Sequence, residues 1–270
     1  MRSVKVLPDG SCLRWVEIPG TRPTRVYLHG LGASSAPYYS AAITHPDLTG
    51  SHSLLIDLLG FGISDRPTDA TYTLGMHADV VARALRLVTV TGADVIGHSM
   101  GGAVAVALAA RHPDLVRRLV LVDPPLDPVE QLPTTKRPGS SGIGVYRSEE
   151  EFLDHGWDET LEFVGPQWAA TMRQAGPHAL YRSARSLLHD TVPTTRQHLE
   201  ALPIPRTLLY PAADGPRSDD DRLTAAGVTV VPVPDCGHNI MLDNVDAFAR
   251  AVRAALPAEP QYRLPATATT

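Results

Sequence analysis

The stretch Ala93-Asp94-Val95-Ile96-Gly97-His98-Ser99-Met100-Gly101-Gly102, continuing Ala103-Val104-Ala105-Val106-Ala107-Leu108-Ala109-Ala110-Arg111, constrains the fold more than any other. A short apolar run rich in branched residues predicts a buried strand, and the alanine-rich run after it has strong helix propensity. Between them stands Gly-x-Ser-x-Gly. A strand that turns at once into a helix leaves no room for side chains beside the turn, which is what the flanking glycines answer. Such an elbow pushes the Ser99 hydroxyl into the open. It also sets the Met100 N–H at a helix N-terminus, aimed at developing negative charge. The five-residue pattern alone would equally describe a Gly-rich turn with an incidental serine; the strand before it and the helix after it favour a nucleophile.

The flanking segments repeat this alternation. Residues 2–7 and 11–18, split by Pro8-Asp9-Gly10, predict a hairpin at a sheet edge. Residues 24–29 form a third strand running into His29-Gly30-Leu31-Gly32. No Lys-Ser or Lys-Thr pair follows, and the later glycine of a dinucleotide fingerprint is missing, so a phosphate loop is disfavoured. Beside the elbow, this loop can offer a backbone N–H, that of Leu31, as a second oxyanion donor alongside Met100. A buried strand before Asp57, a helix over 74–90, the elbow, and the strand Leu119–Asp123 follow. Continuous apolar strands alternating with helices predict a mostly parallel sheet covered on both faces.

Residues 124–203 break the rhythm: a Pro-, Gly- and Ser-rich opening to Ser141, then helical stretches near 148–164, 167–175, 178–189 and 193–201. We read an α-helical cap, with Phe152, Trp157, Phe163, Trp168, Met172 and Tyr181 packing its own core and in part shaping a pocket. Strands resume at 206–210 and 228–233, and a helix over 243–256 closes the domain. The expected organisation is a core of residues 1–123 and 204–258, a cap of 124–203 and a flexible tail of 259–270.

Serine at neutral pH needs a base, and histidine suits that role. Among 11 histidines, His238 lies in a Gly-flanked loop after a late strand. A carboxylate must hold its tautomer. Asp214, ending the preceding strand, is the expected acid, since Ser, Asp, His is the chain order for this elbow; Asp123 is the rival. Asp57 and Asp65 are read as organising their loop, and His29 and His98 as packed neighbours of the site.

A net charge of −5 from 29 acidic and 24 basic residues, with no basic block, argues against a nucleic-acid partner. Cys12 and Cys236 lack metal-ligand spacing and read as free thiols of a reducing compartment. The first residues lack the apolar core of a signal peptide, and no run has the ~18 apolar residues of a membrane span, so the expected location is cytoplasmic. Oligomeric state is not legible.

These segments together resemble the α/β-hydrolase-fold serine hydrolases with a helical cap after the sixth strand. The resemblance rests on His29-Gly30-Leu31-Gly32, Asp57-Leu-Leu-Gly60-Phe-Gly62-Ile-Ser64-Asp65-Arg66-Pro67, Gly97-His98-Ser99-Met100-Gly101-Gly102, Asp214 and Gly237-His238. It implies an eight-stranded sheet whose second strand is antiparallel, and chemistry without cofactor or metal. Haloalkane dehalogenases and soluble epoxide hydrolases of this fold carry an aspartate nucleophile, against Ser99. Carbon–carbon bond hydrolases usually have asparagine, and cofactor-free haloperoxidases commonly an aromatic, where this chain has His98. The pattern looks most like esterases, lactonases and thioesterases acting on a small to medium hydrophobic substrate. Two alternatives stay open. One is carbon–carbon hydrolysis of a diketone-like substrate, with Arg173, Arg182 and Arg185 as carboxylate binders. The other is a non-catalytic small-molecule binding protein.

Overall fold

A computed structural model describes residues 1–127, 143, 146–188, 192–216 and 220–257. The expected edge hairpin is β1 (Arg2–Lys5) and β2 (Cys12–Ile18), paired antiparallel. β3 (Thr21–Leu28) leads into α1 (Ser35–Thr44), then β4 (Ser51–Asp57) and α2 (Leu74–Leu87). The elbow joins β5 (Ala93–His98) to α3 (Met100–Arg111), and β6 (Val116–Val122) follows. After β6 the described chain is helical: α4 (Glu149–Glu151) running through a wide turn into α5 (Trp157–Phe163), then α6 (Pro166–Met172), α7 (Pro177–Leu188) and α8 (Thr195–Ala201). β7 (Arg206–Pro211), α9 (Asp220–Ala225), β8 (Val228–Val233), α10 (Ile240–Asp243) and α11 (Val245–Ala255) complete it.

The sheet runs β1-β2-β4-β3-β5-β6-β7-β8, and β2 is antiparallel to both neighbours while the pairs from β4 to β8 are parallel. Alternate residues of the central strands enter opposite cores. Val26, Leu28, Val95 and Leu119 join one core with α2 and α3; Tyr27, Ile96 and Val120 join the other with α1 and α11. Cover on both faces is why these strands read as unbroken apolar runs. Helix starts are fixed locally. Thr73 accepts from Met76 N (3.1 Å), Asn244 from Ala247 N (3.0 Å), and Thr194 with Gln197 closes a reciprocal cap on α8. Each such cap contributes about 1 kcal/mol.

The helix α1 has no counterpart in the sequence reading, because Ser-Ala-Pro-Tyr-Tyr-Ser-Ala-Ala-Ile-Thr carries no clean apolar stripe. Tertiary bonds hold it instead: Ser35 N donates to Asp57 (2.7 Å), Ser35 Oγ to Ile56 O (2.6 Å), and Tyr39 Oη to Leu28 O (3.0 Å). The Pro-, Gly- and Ser-rich opening lies, from 128 to 142, outside the described residues, as does the tail 259–270. Among the described residues no helix is long and apolar enough to cross a membrane.

Candidate active site

The glycines of the elbow are fixed by backbone contact. A Cβ on Gly97 would fall 2.4 Å from Gly101 O, and one on Gly101 would fall 2.5 Å from Leu28 O and His29 O. Strand β5, helix α3 and the end of β3 therefore touch main chain to main chain. Ser99 sits on that turn at φ 51° and ψ −123°, a left-handed conformation a residue with a side chain rarely adopts. Such strain costs of order 1–3 kcal/mol and persists where the surroundings impose it. Here Ser99 N donates to Val122 O (2.9 Å), and Gly102 N to Ser99 O (2.9 Å). Met100 is the first helical residue, so its N–H has no intrahelical acceptor.

Strand order then decides which acid meets the histidine. His98 is in register with Val122, and Val122 with Leu209. Asp123, at φ 44°, follows the strand adjacent to the elbow, whereas Asp214 ends a turn after the next strand out. His238 Nδ1 lies 2.7 Å from Asp123 Oδ2. The carboxylate accepts, so Nδ1 carries the proton and Nε2 keeps its lone pair. Asp214 is exposed, and among the described residues its side chain makes no hydrogen bond or ion pair. The expectation that Asp214 pairs with His238 is therefore corrected to Asp123. Both aspartates end strands at the same sheet edge, but Asp214 is one strand spacing farther from Ser99.

His98 links the histidine loop to the elbow. Its ring is 4.7 Å from that of His238, and its Nε2–H donates to His238 O (3.0 Å). Burial, aided by the neighbouring His238, holds His98 well below the ordinary histidine range and so neutral. Ser99 Oγ makes no hydrogen bond among the described residues. Burial also pushes the Cys236 thiol up, with Asp243, Asp123, Asp214 and Asp235 adding negative charge around it. Both Cys12 and Cys236 are free thiols.

The loop after β3 passes against the serine: a Cβ on Gly30 would lie 3.1 Å from Ser99 Cβ. Leu58 N donates to His29 Nε2 (2.9 Å), which leaves the proton on Nδ1, and Nδ1 donates to Gly30 O (2.7 Å). Ala33 N donates to the same carbonyl (3.1 Å). Carbonyl and N–H point opposite ways across a trans peptide, so this pins the Leu31 N–H facing away from the His29 ring. Asp57 braces the neighbouring backbone, accepting from Ser34 Oγ (2.9 Å) and Ile63 N (2.9 Å), while Asp65 accepts from Cys12 N (2.8 Å) and pairs with Arg14.

The family described as alpha/beta hydrolase fold matches residues 26–142. A thermophilic esterase from Thermogutta terrifontis superposes with a TM-score of 0.77 at 20% identity, over 95% of this chain and 98% of that one. The protein has the α/β-hydrolase fold. Among curated relatives, a 2-hydroxymuconate semialdehyde hydrolase of Pseudomonas sp. (strain CF600) is 40% identical over 96 residues, 35% of this chain and 34% of that protein. The esterase Rv0045c of Mycobacterium tuberculosis is 37% identical over 113 residues, 42% and 36% of the two chains. The matched stretches thus span about a third of these relatives.

On this α/β-hydrolase frame the helical segment after β6 is tied to the loops around the serine. Gly176 N donates to Gly60 O (2.8 Å), Arg66 Nε to Gln174 O (2.7 Å), and Trp168 Nε1 to Leu31 O (2.9 Å). His77, which burial pushes down to about 3, gives its Nε2 proton to Ser183 Oγ (3.0 Å). Phe152 packs with Tyr181, Trp157 and Tyr146 inside the segment, whereas Phe163 is exposed. Of the arginines considered for a substrate carboxylate, Arg182 is spent on Thr68 O, Ala70 O and Glu149, and Arg173 is exposed.

Proposed function

We propose that this protein is a serine hydrolase that cleaves a carboxylic ester, lactone or thioester of a small to medium hydrophobic substrate through an acyl-enzyme. The observation that carries the reading is the left-handed Ser99 at the elbow with the His238–Asp123 pair at the neighbouring strand end. In this reading Ser99 Oγ attacks the carbonyl carbon while His238 Nε2 takes its proton. Asp123 holds the imidazole in the tautomer that leaves Nε2 free and stabilises the imidazolium as it forms. The N–H groups of Leu31 and Met100 receive the negative charge on the carbonyl oxygen. His238 returns the proton to the leaving alcohol or thiol, then activates water to attack the acyl-enzyme by the same relay. The segment between β6 and β7 acts as the cap, its Trp168–Met172 side lying over the Leu31–Gly32 loop.

The semialdehyde hydrolase among the relatives supports carbon–carbon bond hydrolysis as a second reading. The occupied Arg182 weighs against it, since a dicarboxylate-like substrate would have to compete with Glu149 and two carbonyls for that cation. A purely binding role has no use for the His238–Asp123 pair. The test is turnover of chromogenic esters of rising acyl length, with lactones and a diketone-like acid alongside, by wild type and Ser99→Ala. Ester or lactone hydrolysis peaking at one acyl length and reduced by at least about 10³-fold in Ser99→Ala is expected. A variant that keeps most of its activity would sink the mechanism.

A further inference from the structure

The contact between Trp168 and the Leu31 carbonyl bears on the chemistry and not only on packing. Gly32, at φ 66°, lets α6 come down directly on the loop: a Cβ there would fall 2.9 Å from Met172 Cε and 3.1 Å from Trp168 Nε1. Leu31 thus lies between two anchored peptide units. The one before it, carrying the Leu31 N–H, is held at Gly30 O by His29 and Ala33. The one after it is held at Leu31 O by the Trp168 indole, 2.9 Å away. The two units hinge at the Leu31 Cα, so losing the indole bond frees the Leu31 carbonyl and leaves the Leu31 N–H held from one side only, by the bonds of His29 and Ala33 to Gly30 O. A donor helps only when aimed at where the oxyanion forms, and misplacement near 1 Å can cost about 10²-fold.

We propose that Trp168 is a positioning residue: its indole N–H, offered from the cap, fixes the Leu31–Gly32 peptide and so completes the hold on the Leu31 N–H while α6 is docked. This rests on the hydrolase reading above and on Leu31 as an oxyanion donor. It makes the cap part of the catalytic geometry as well as a cover.

The test compares wild type with Trp168→Phe and with a protein whose Trp168 indole is replaced by benzothiophene, which keeps the ring shape and loses the N–H. Steady-state hydrolysis of the best ester and inhibition by an alkyl trifluoromethyl ketone, which forms a tetrahedral oxyanion on serine, are measured on each. Both replacements are expected to lower kcat by about 10-fold or more with KM nearly unchanged, and to weaken the ketone by the same factor as kcat/KM. Full kcat in the benzothiophene protein, or a rise in KM alone, would overturn the inference and leave the hydrolase reading standing. The isostere decides the matter even if Trp168→Phe folds poorly. Failure of the wild type both to hydrolyse any ester and to react at Ser99 with a fluorophosphonate would overturn the hydrolase reading and this inference with it.

Discussion

The ends of β6 and β7 invite comparison, because each parallel strand finishes near an aspartate at the same edge of the sheet. At β6 the chain turns through a left-handed Asp123, whose N–H donates to Leu209 O (2.8 Å) and whose carboxylate meets His238. At β7 the chain relaxes into a short turn, Ala212–Asp214, in ordinary backbone geometry, and leaves Asp214 exposed. Strain, partial burial and a histidine partner coincide at one strand end and are all missing at the other. Here it is the aspartate after the strand next to the elbow that meets His238, and chain order does not say which strand that is.

The sharpest way to break the contrast is to neutralise each acid alone. Asp123→Asn is expected to lower kcat by about 10³–10⁴-fold, as loss of the correct histidine tautomer does elsewhere. Asp214→Asn should stay within about 3-fold of wild type, since surface charges act weakly. Steady-state ester hydrolysis by both variants checks this, and equal losses would erase the distinction. A finer test is the double variant: adding Asp214→Asn to Asp123→Asn should change the residual rate by less than about 3-fold, whereas a further drop of about 10-fold would show Asp214 stepping in as a substitute acid. The smallest effect is electrostatic. Both carboxylates help to push the Cys236 thiol up. Removing either charge lowers that pKa and raises the thiolate fraction at fixed pH. Alkylation of Cys236 by iodoacetamide should then quicken by about 2-fold in each single variant, and no change in either would mean that the charges are too far away to act.

The fold was legible in the sequence where backbone chemistry leaves no choice. Gly97, Gly101 and the apolar runs of β3 to β6 announce an elbow in a covered parallel sheet, because each glycine stands where a Cβ would strike main chain. Ser99 and His238 could be picked out as candidates because of the turns they occupy. Asp123 could not be preferred to Asp214, because both follow apolar strands and only the lateral order β5-β6-β7 separates them. Helix α1 was invisible for a related reason: its register is set by Asp57, Ser35 and Tyr39 across the sheet and not by its own periodicity. The Trp168–Leu31 bond joins residues 137 positions apart, and no local pattern marks it.

One measurement bears on the central claim most directly: intact-mass and peptide-level analysis after exposure to a fluorophosphonate, for wild type, Ser99→Ala and Asp123→Asn. A single adduct on Ser99 is expected in the wild type, none in Ser99→Ala, and labelling slowed by at least about 10²-fold in Asp123→Asn. An adduct at another residue, or labelling of Asp123→Asn at the wild-type rate, would contradict it.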